Sequence, residues 1–261
     1  MLKQTLAGAL AIAFAVEAHA QPVRAQAQVQ AEGYLKPAER LDGARIVPPP
    51  PEPGTPAWED DGETWKRLRA LKGTPRWAQA QADNDYSTAA LLQGFSCAVG
   101  AELSPQRTPA TARLLSRAVL DAVESARAAK EVFKRQRPFV PTDGPICVER
   151  EPLEKSLSYP SGHATTGWTT ALVLSEAAPY RAAEILTRGR AYGESRIVCG
   201  VHWKSDVAAG RELASVAVTL LQTNAEFRRD LDMAREELAR AQRSGASPSR
   251  CPINTSIDEL D

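Results

Sequence analysis

The stretch TPATARLLSRAVLDAVESARAAK, residues 108–130, decides the fold class. Leu114, Leu115, Ala118, Val119, Ala122, Val123 and Ala126 recur with a period near 3.6 and form one apolar stripe, as a half-buried helix requires. Thr108-Pro109 opens it as an N-cap followed by proline at the first helical position. Pro138 and Pro141 stop it, so the helix should end by about Lys134. Working outward, Thr74-Pro75 repeats the opening signature, and from Gly62 the pattern is already helical, with Trp65, Leu68 and Leu71 on related faces. Residues 138–160 form a proline-rich loop, and Pro160 precedes a helix starting near Ser161. A further helix is expected from about Tyr180 to Arg196, interrupted by Gly200, and a last one from near Trp203 to Arg243. No alternating strand pattern and no internal repeat is present. The class is all-α, a compact helical bundle.

The flanks do not belong to that core. Lys3, the apolar run Leu6–Val16 and Ala18-His19-Ala20 read as a signal peptide over 1–20, cleaved after Ala20; the run is too short to span a bilayer, which takes about 20 residues. Residues 21–32 are Gln/Ala-rich with no core-building pattern, and Pro48–Pro56 (PPPPEPGTP) should run as an extended polyproline segment. The organisation is therefore a leader (1–20), an extended or disordered segment (21–60), a helical domain (61–228), and a charged helical tail with a flexible end (229–261). The chain has 261 residues with 32 Lys plus Arg against 32 Asp plus Glu. No global field recruits a nucleic-acid polymer or an acidic membrane surface, so any anion site must be local. No later segment is apolar for long enough to cross a membrane. Export to the periplasm or beyond permits disulfides among Cys97, Cys147, Cys199 and Cys251; their spacing suits neither a zinc knuckle nor a redox pair, and three pairings stay open.

The mature chain keeps two histidines, His163 and His202. His163 follows Tyr159-Pro160-Ser161-Gly162 at an expected helix start, where unpaired N–H groups, the Ser161 hydroxyl and Gly162 suit a phosphate. Taken alone, Pro-Ser-Gly is as often a plain turn into a helix. His202 and Asp206 are four apart, so on a helix the carboxylate would reach the ring and fix its tautomer. A surface histidine paired with aspartate is the ordinary alternative. Arg196, six residues before His202, needs the break at Gly200 to come alongside. Lys130 and Arg137-Pro138 add cations, and the guanidinium fork suits two phosphate oxygens.

Together these residues resemble a known signature. Lys130 and Arg137-Pro138, then Pro160-Ser161-Gly162-His163, then Ser195-Arg196 with His202 and Asp206, are similar to the three-part motif of bacterial acid phosphatases, membrane lipid phosphatases of the phosphatidic-acid type and vanadium haloperoxidases. The chain most resembles the class A bacterial non-specific acid phosphatases, from Gly33-Tyr34-Leu35 through Gly73-Thr74-Pro75-Arg76-Trp77, Arg137-Pro138-Phe139 and Cys199-Gly200 to about Leu221. Leu157 and Ala164 depart from it, where glycine and threonine are common, and Leu157 would add bulk near the phosphate loop. The resemblance implies hydrolysis of small phosphate monoesters through a phosphohistidine. His202 would be nucleophile, His163 general acid and base, and Asp206 the orienting group. Lys130, Arg137, Ser161, Gly162 and Arg196 would hold phosphate, with no cofactor or metal. Oligomeric state stays open, although members of that class often form homo-oligomers. The rival expectations are a vanadate-loaded haloperoxidase, a lipid headgroup phosphatase and a phosphate-binding bundle without activity.

Overall fold

The 108–130 stretch is helical in the computed structural model, which describes residues 32–248 and 251–259; the expected leader and most of the Gln/Ala-rich segment lie outside them. Among the described residues there is no strand. The helices run α1 (Pro56–Leu68), α2 (Pro75–Ala82), α3 (Thr88–Val99), α4 (Pro109–Phe133), α5 (Glu151–Glu154), α6 (Gly162–Ala177), α7 (Ala182–Val198), α8 (Lys204–Leu221) and α9 (Ala225–Arg243). The fold is all-α.

Most helix starts carry their own cap. Thr55 and Thr74 accept from the N–H groups of Trp58 and Trp77, each at 3.3 Å, and Pro56 and Pro75 follow them. The Thr55-Pro56 signature moves the first helix start to Pro56, ahead of the expected Gly62. Thr108 occupies the N-cap position of α4 but caps nothing with its side chain. Its hydroxyl donates to the Ser104 carbonyl at 2.9 Å. Glu237 of α9 takes over, accepting from the N–H groups of Ala110 and Thr111 at 3.0 and 2.8 Å. The stretch expected to run unbroken from Trp203 to Arg243 is two helices. Residues 222–224 separate them, and Asn224 caps α9 by accepting from Glu226 and Phe227. Tyr180 sits in a short 3-10 turn, so α7 starts at Ala182.

Leu114, Leu115 and Ala118 of α4 are fully buried against Leu92, Phe95, Leu174, Ile185, Leu221 and Phe227. Each large side chain so buried stabilises the fold by about 1.5–3 kcal/mol relative to exposure. Val119 and Val123 are not part of this core: both are only half-buried and face a cavity. At about 100° per residue they lie well round the helix from Leu114 and Ala118.

Helices α6, α7 and α8 pack closely because small residues line their crossings. A Cβ on Gly210 would fall 2.5 Å from the Ser161 carbonyl, and one on Gly189 would fall 2.3 Å from the Ala171 Cβ. Ala164 is fully buried in the same seam, within reach of Gly193 and Gly210. The Ser161 N–H donates to the Asp206 carbonyl at 2.9 Å, which ties the start of α6 to the start of α8. The two histidine segments, forty residues apart in the chain, are thereby fixed side by side. Two disulfides, Cys97–Cys251 and Cys147–Cys199, settle the open pairing. The first, with the Ile257 N–H donating to Glu194 at 3.0 Å, straps the C-terminal segment back onto the bundle.

Candidate active site

His202 lies just before α8, so the expected shared helix face does not form. The pair with Asp206 is made instead through the helix start. Asp206 Oδ2 accepts from the Trp203 N–H at 2.9 Å and from His202 Nδ1–H at 3.1 Å. Gly200, at φ 83, turns the chain between Arg196 and His202. A side chain there would be strained by that dihedral and would also strike the Arg69 guanidinium at 2.3 Å. Two further groups grip Asp206. The Ser158 hydroxyl donates to Oδ2 and lies 3.3 Å from His202 Nδ1. Arg135 donates to Oδ1 at 2.8 Å and to Asp61 at 2.8 Å, its guanidinium flanked by the rings of Trp58 and Trp203. Burial pushes the Asp206 pKa up, and the Arg135 charge opposes it.

His163 occupies the first turn of α6. Its Nε2 donates to the backbone carbonyl of Asn84 at 3.0 Å, and the Asn84 side-chain oxygen accepts from Arg196 at 3.0 Å. One residue of the α2–α3 loop thus holds both an imidazole and a guanidinium. That loop is anchored by Asp83, which accepts from Arg188 at 3.2 Å and from Ser195 at 2.6 Å. Ser195 of the motif therefore acts on the loop beneath the site. The Tyr86 ring stands edge-on to His163 with centroids 4.8 Å apart, at the exposed lip.

Lys130 lies in the last turn of α4 and donates to the carbonyls of Leu157 and Ser158 at 2.7 and 3.0 Å. Arg137 donates to Val201 O at 2.8 Å and lies 3.0 Å from His202 Nε2. Burial drives these cations down: Lys130 to about 7, Arg137 and Arg196 each to about 10. His202 is held well below 6.5 by burial and then by Arg137, Lys130 and Arg196, and His163 by burial and then by Arg196. Arg196 Nε is buried with no hydrogen-bond partner. Positive charge crowded out of water with an idle donor is what a bound anion would relieve.

Lys130, Arg137, Gly162, His163, Arg196 and His202 all line one cavity of about 590 Å³. Asp206 stands behind His202 and does not line it. Ser161, fully buried, caps α6 by accepting from the Ala164 N–H at 3.3 Å, and it too is absent from the cavity wall. A Cβ on Gly162 would meet nothing within 4 Å, so this position opens onto the cavity. Leu157 does not line it either; with Lys134 and Lys155 it borders a separate groove that shares Lys130, Arg137 and Ser156 with the cavity. Among the described residues, no helix is long and apolar enough to cross a membrane.

Sequence reasoning missed Asn84, Arg135 and Ser158. Arg135 lies between Lys130 and Arg137, two residues before the latter, and Ser158 lies three before Ser161, so both flank residues that the motif names. Asn84 works partly through a backbone carbonyl, which no residue type announces.

Residues 110–229 match the family described as the PAP2 superfamily. The chain is 46% identical over 209 residues to an acid phosphatase of Zymomonas mobilis subsp. mobilis, covering 79% of each chain. It is 41% identical over 208 residues to a non-specific acid phosphatase of Salmonella typhimurium, covering 78% of this chain and 83% of that one. A third, the non-specific acid phosphatase of Providencia stuartii, is 39% identical over 213 residues, 80% of this chain and 86% of its own. The family match runs from α4 into α9 and so includes both histidine segments and all three cations; the chain belongs to the PAP2 superfamily and, within it, to the family of the bacterial non-specific acid phosphatases.

Proposed function

We propose that this phosphatase hydrolyses phosphate monoesters of broad specificity through a phosphohistidine on His202, without a metal. The observation that carries the reading is the cavity itself, where two imidazoles and three desolvated cations converge on one space. Among the described residues, no group of three or more His, Cys, Asp or Glu is arranged to hold a metal ion.

With Nδ1–H given to Asp206, the Nε2 lone pair of His202 faces Arg137, and it becomes the nucleophile when that guanidinium turns to a phosphate oxygen. Nε2 attacks phosphorus in line, a P–N bond forms and the ester P–O bond breaks. The departing alkoxide takes a proton from His163. Because Nε2–H of His163 is given to Asn84, Nδ1 carries the exchanged proton. His163, now neutral, takes a proton from water, which attacks phosphorus; the P–N bond breaks and orthophosphate leaves. Lys130, Arg137, Arg196 and the N–H groups of the first turn of α6 stabilise equatorial oxygen charge in both steps. Vanadate, able to adopt the same trigonal-bipyramidal shape, should inhibit strongly. Two disulfides support export to an oxidising compartment, and we place the mature protein in the periplasm.

The pH dependence of kcat/KM, with and without chelator, tests this. His202 acts when neutral, so its lowered pKa keeps it competent well below pH 6.5. His163 acts when protonated, so its lowered pKa makes activity fall before pH 6.5 is reached from below. Lys130 loses its charge near pH 7 and steepens the alkaline loss. The expected profile is a bell with an acidic optimum, insensitive to chelator. A flat profile, an optimum above neutrality or loss of activity to chelator would refute the assignment.

A further inference from the structure

Helix α4 is apolar on two faces, and only one of them has a use within the fold. Leu114, Leu115, Ala118, Ala122 and Ala126 fill the core. Leu120 and Val123 lie more than a quarter turn round the helix from the centre of that stripe and Val119 lies at its edge; all three are half-buried, in the wall of the active-site cavity. A helix face turned away from the core is ordinarily polar, so three adjacent aliphatic side chains there need a ligand-side explanation. The same face continues through the ion-paired Glu124 and Arg127 to Lys130, which contacts the phosphate loop. Val123 and Val119 therefore lie about 10 and 16 Å along the helix axis from Lys130. Leu153 of α5 adds a fourth aliphatic group to the same cavity.

The phosphate end and the aliphatic wall are two ends of one space. Phosphorus must sit among Lys130, Arg137, Arg196 and the histidines, so what reaches Val123 can only be the alcohol part of the ester. We infer that the cavity selects monoesters whose leaving alcohol carries an extended apolar arm, held by Val119, Leu120, Val123 and Leu153. This rests on the phosphatase reading above and narrows it. Ethyl or glycerol esters would be hydrolysed but would leave the wall wet.

A series of n-alkyl phosphates from ethyl to octyl isolates the effect, because leaving-group basicity is nearly constant along it. kcat/KM should be level for the shortest chains and then rise, by up to about fourfold per methylene, the full transfer free energy of one CH₂. Val119→Asn with Val123→Asn should flatten the rise. Should that variant unfold, Val119→Ala with Val123→Ala trims the wall without adding polarity and should reduce the slope partially. Inhibition by orthophosphate reads the anion end separately and should be shared by wild type and variants. A level series in wild type with hydrolysis intact overturns the wall and leaves the phosphatase reading standing. A rise that survives both double variants also overturns it. Failure to hydrolyse any ester would sink the underlying reading together with this one.

Discussion

Asp206 is fully buried, and a lone carboxyl in that setting would rather hold its proton than its charge. Arg135 opposes that preference from 2.8 Å away, and Asp61, also buried, balances the remaining positive charge. The charges facing the carboxyl from other segments are Lys130 in the last turn of α4, Arg137 and the imidazole of His202. The ionised form accepts from His202 Nδ1–H and supplies the negative charge that steadies the imidazole as it becomes cationic. Arg135→Gln should therefore raise the Asp206 pKa and move the acid limb of kcat/KM up by about 1–3 pH units. That limb belongs to the coupled His202–Asp206 pair rather than to either alone. Arg135→Lys should recover part of the shift. A uniform loss of rate with the limb unmoved would reduce Arg135 to a packing role between Trp58 and Trp203. The residues proposed to hold phosphate were legible because, together and at that spacing, they resemble a known three-part motif. Arg135 was not, since an arginine within Lys134-Arg135-Gln136-Arg137 looks like one more solvated charge until the fold buries it. Ser161 was legible in place; the structure shows it as the cap of α6, and an N-cap and a phosphate donor ask for the same residue.

At the scale of elements, α4 shows what periodicity can and cannot give. Its existence and its end near Lys134 follow from the apolar repeat and the prolines. The split of that repeat into a core face and a cavity face does not, since both faces use the same residue types. Its cap was misassigned for a related reason: Thr108 has the right identity, but a carboxylate from α9, over a hundred residues later, takes the exposed N–H groups. Glu237 also accepts from the Thr111 hydroxyl at 2.7 Å, so it joins α9 to the first turn of α4. Glu237→Ala should destabilise the protein by about 0.5–2 kcal/mol, the usual cost of a lost cap. Urea unfolding measures this directly, and Thr108→Val should cost less because its hydroxyl bonds only to Ser104. If the order were reversed, the cap assignment would be wrong. The break at 222–224 went unread because the apolar end of α8 runs into the charged helix formers of α9 with no glycine or proline between them, and only Asn224, a modest cap signal, marks it.

At the scale of the molecule, the site exists because distant segments are locked together. The close seam of α6, α7 and α8 sets His163 beside Arg196 and His202, and α4 brings Lys130 to the same place. The α2–α3 loop, held by the buried Asp83–Arg188 pair, closes the set through Asn84. Composition and patterning gave the all-α class and the motif gave the chemistry, but the loop's part in it depends on tertiary contacts alone. The central claim is that His202 becomes covalently phosphorylated in each turnover. Rapid acid-free quenching of the enzyme with a phosphate-labelled monoester, followed by peptide mapping, tests it most directly. The account predicts a base-stable, acid-labile phosphoryl group on His202, formed at the rate of alcohol release, and absent in His202→Ala. Label on another residue, or full turnover with no labelled enzyme at any time, would contradict it.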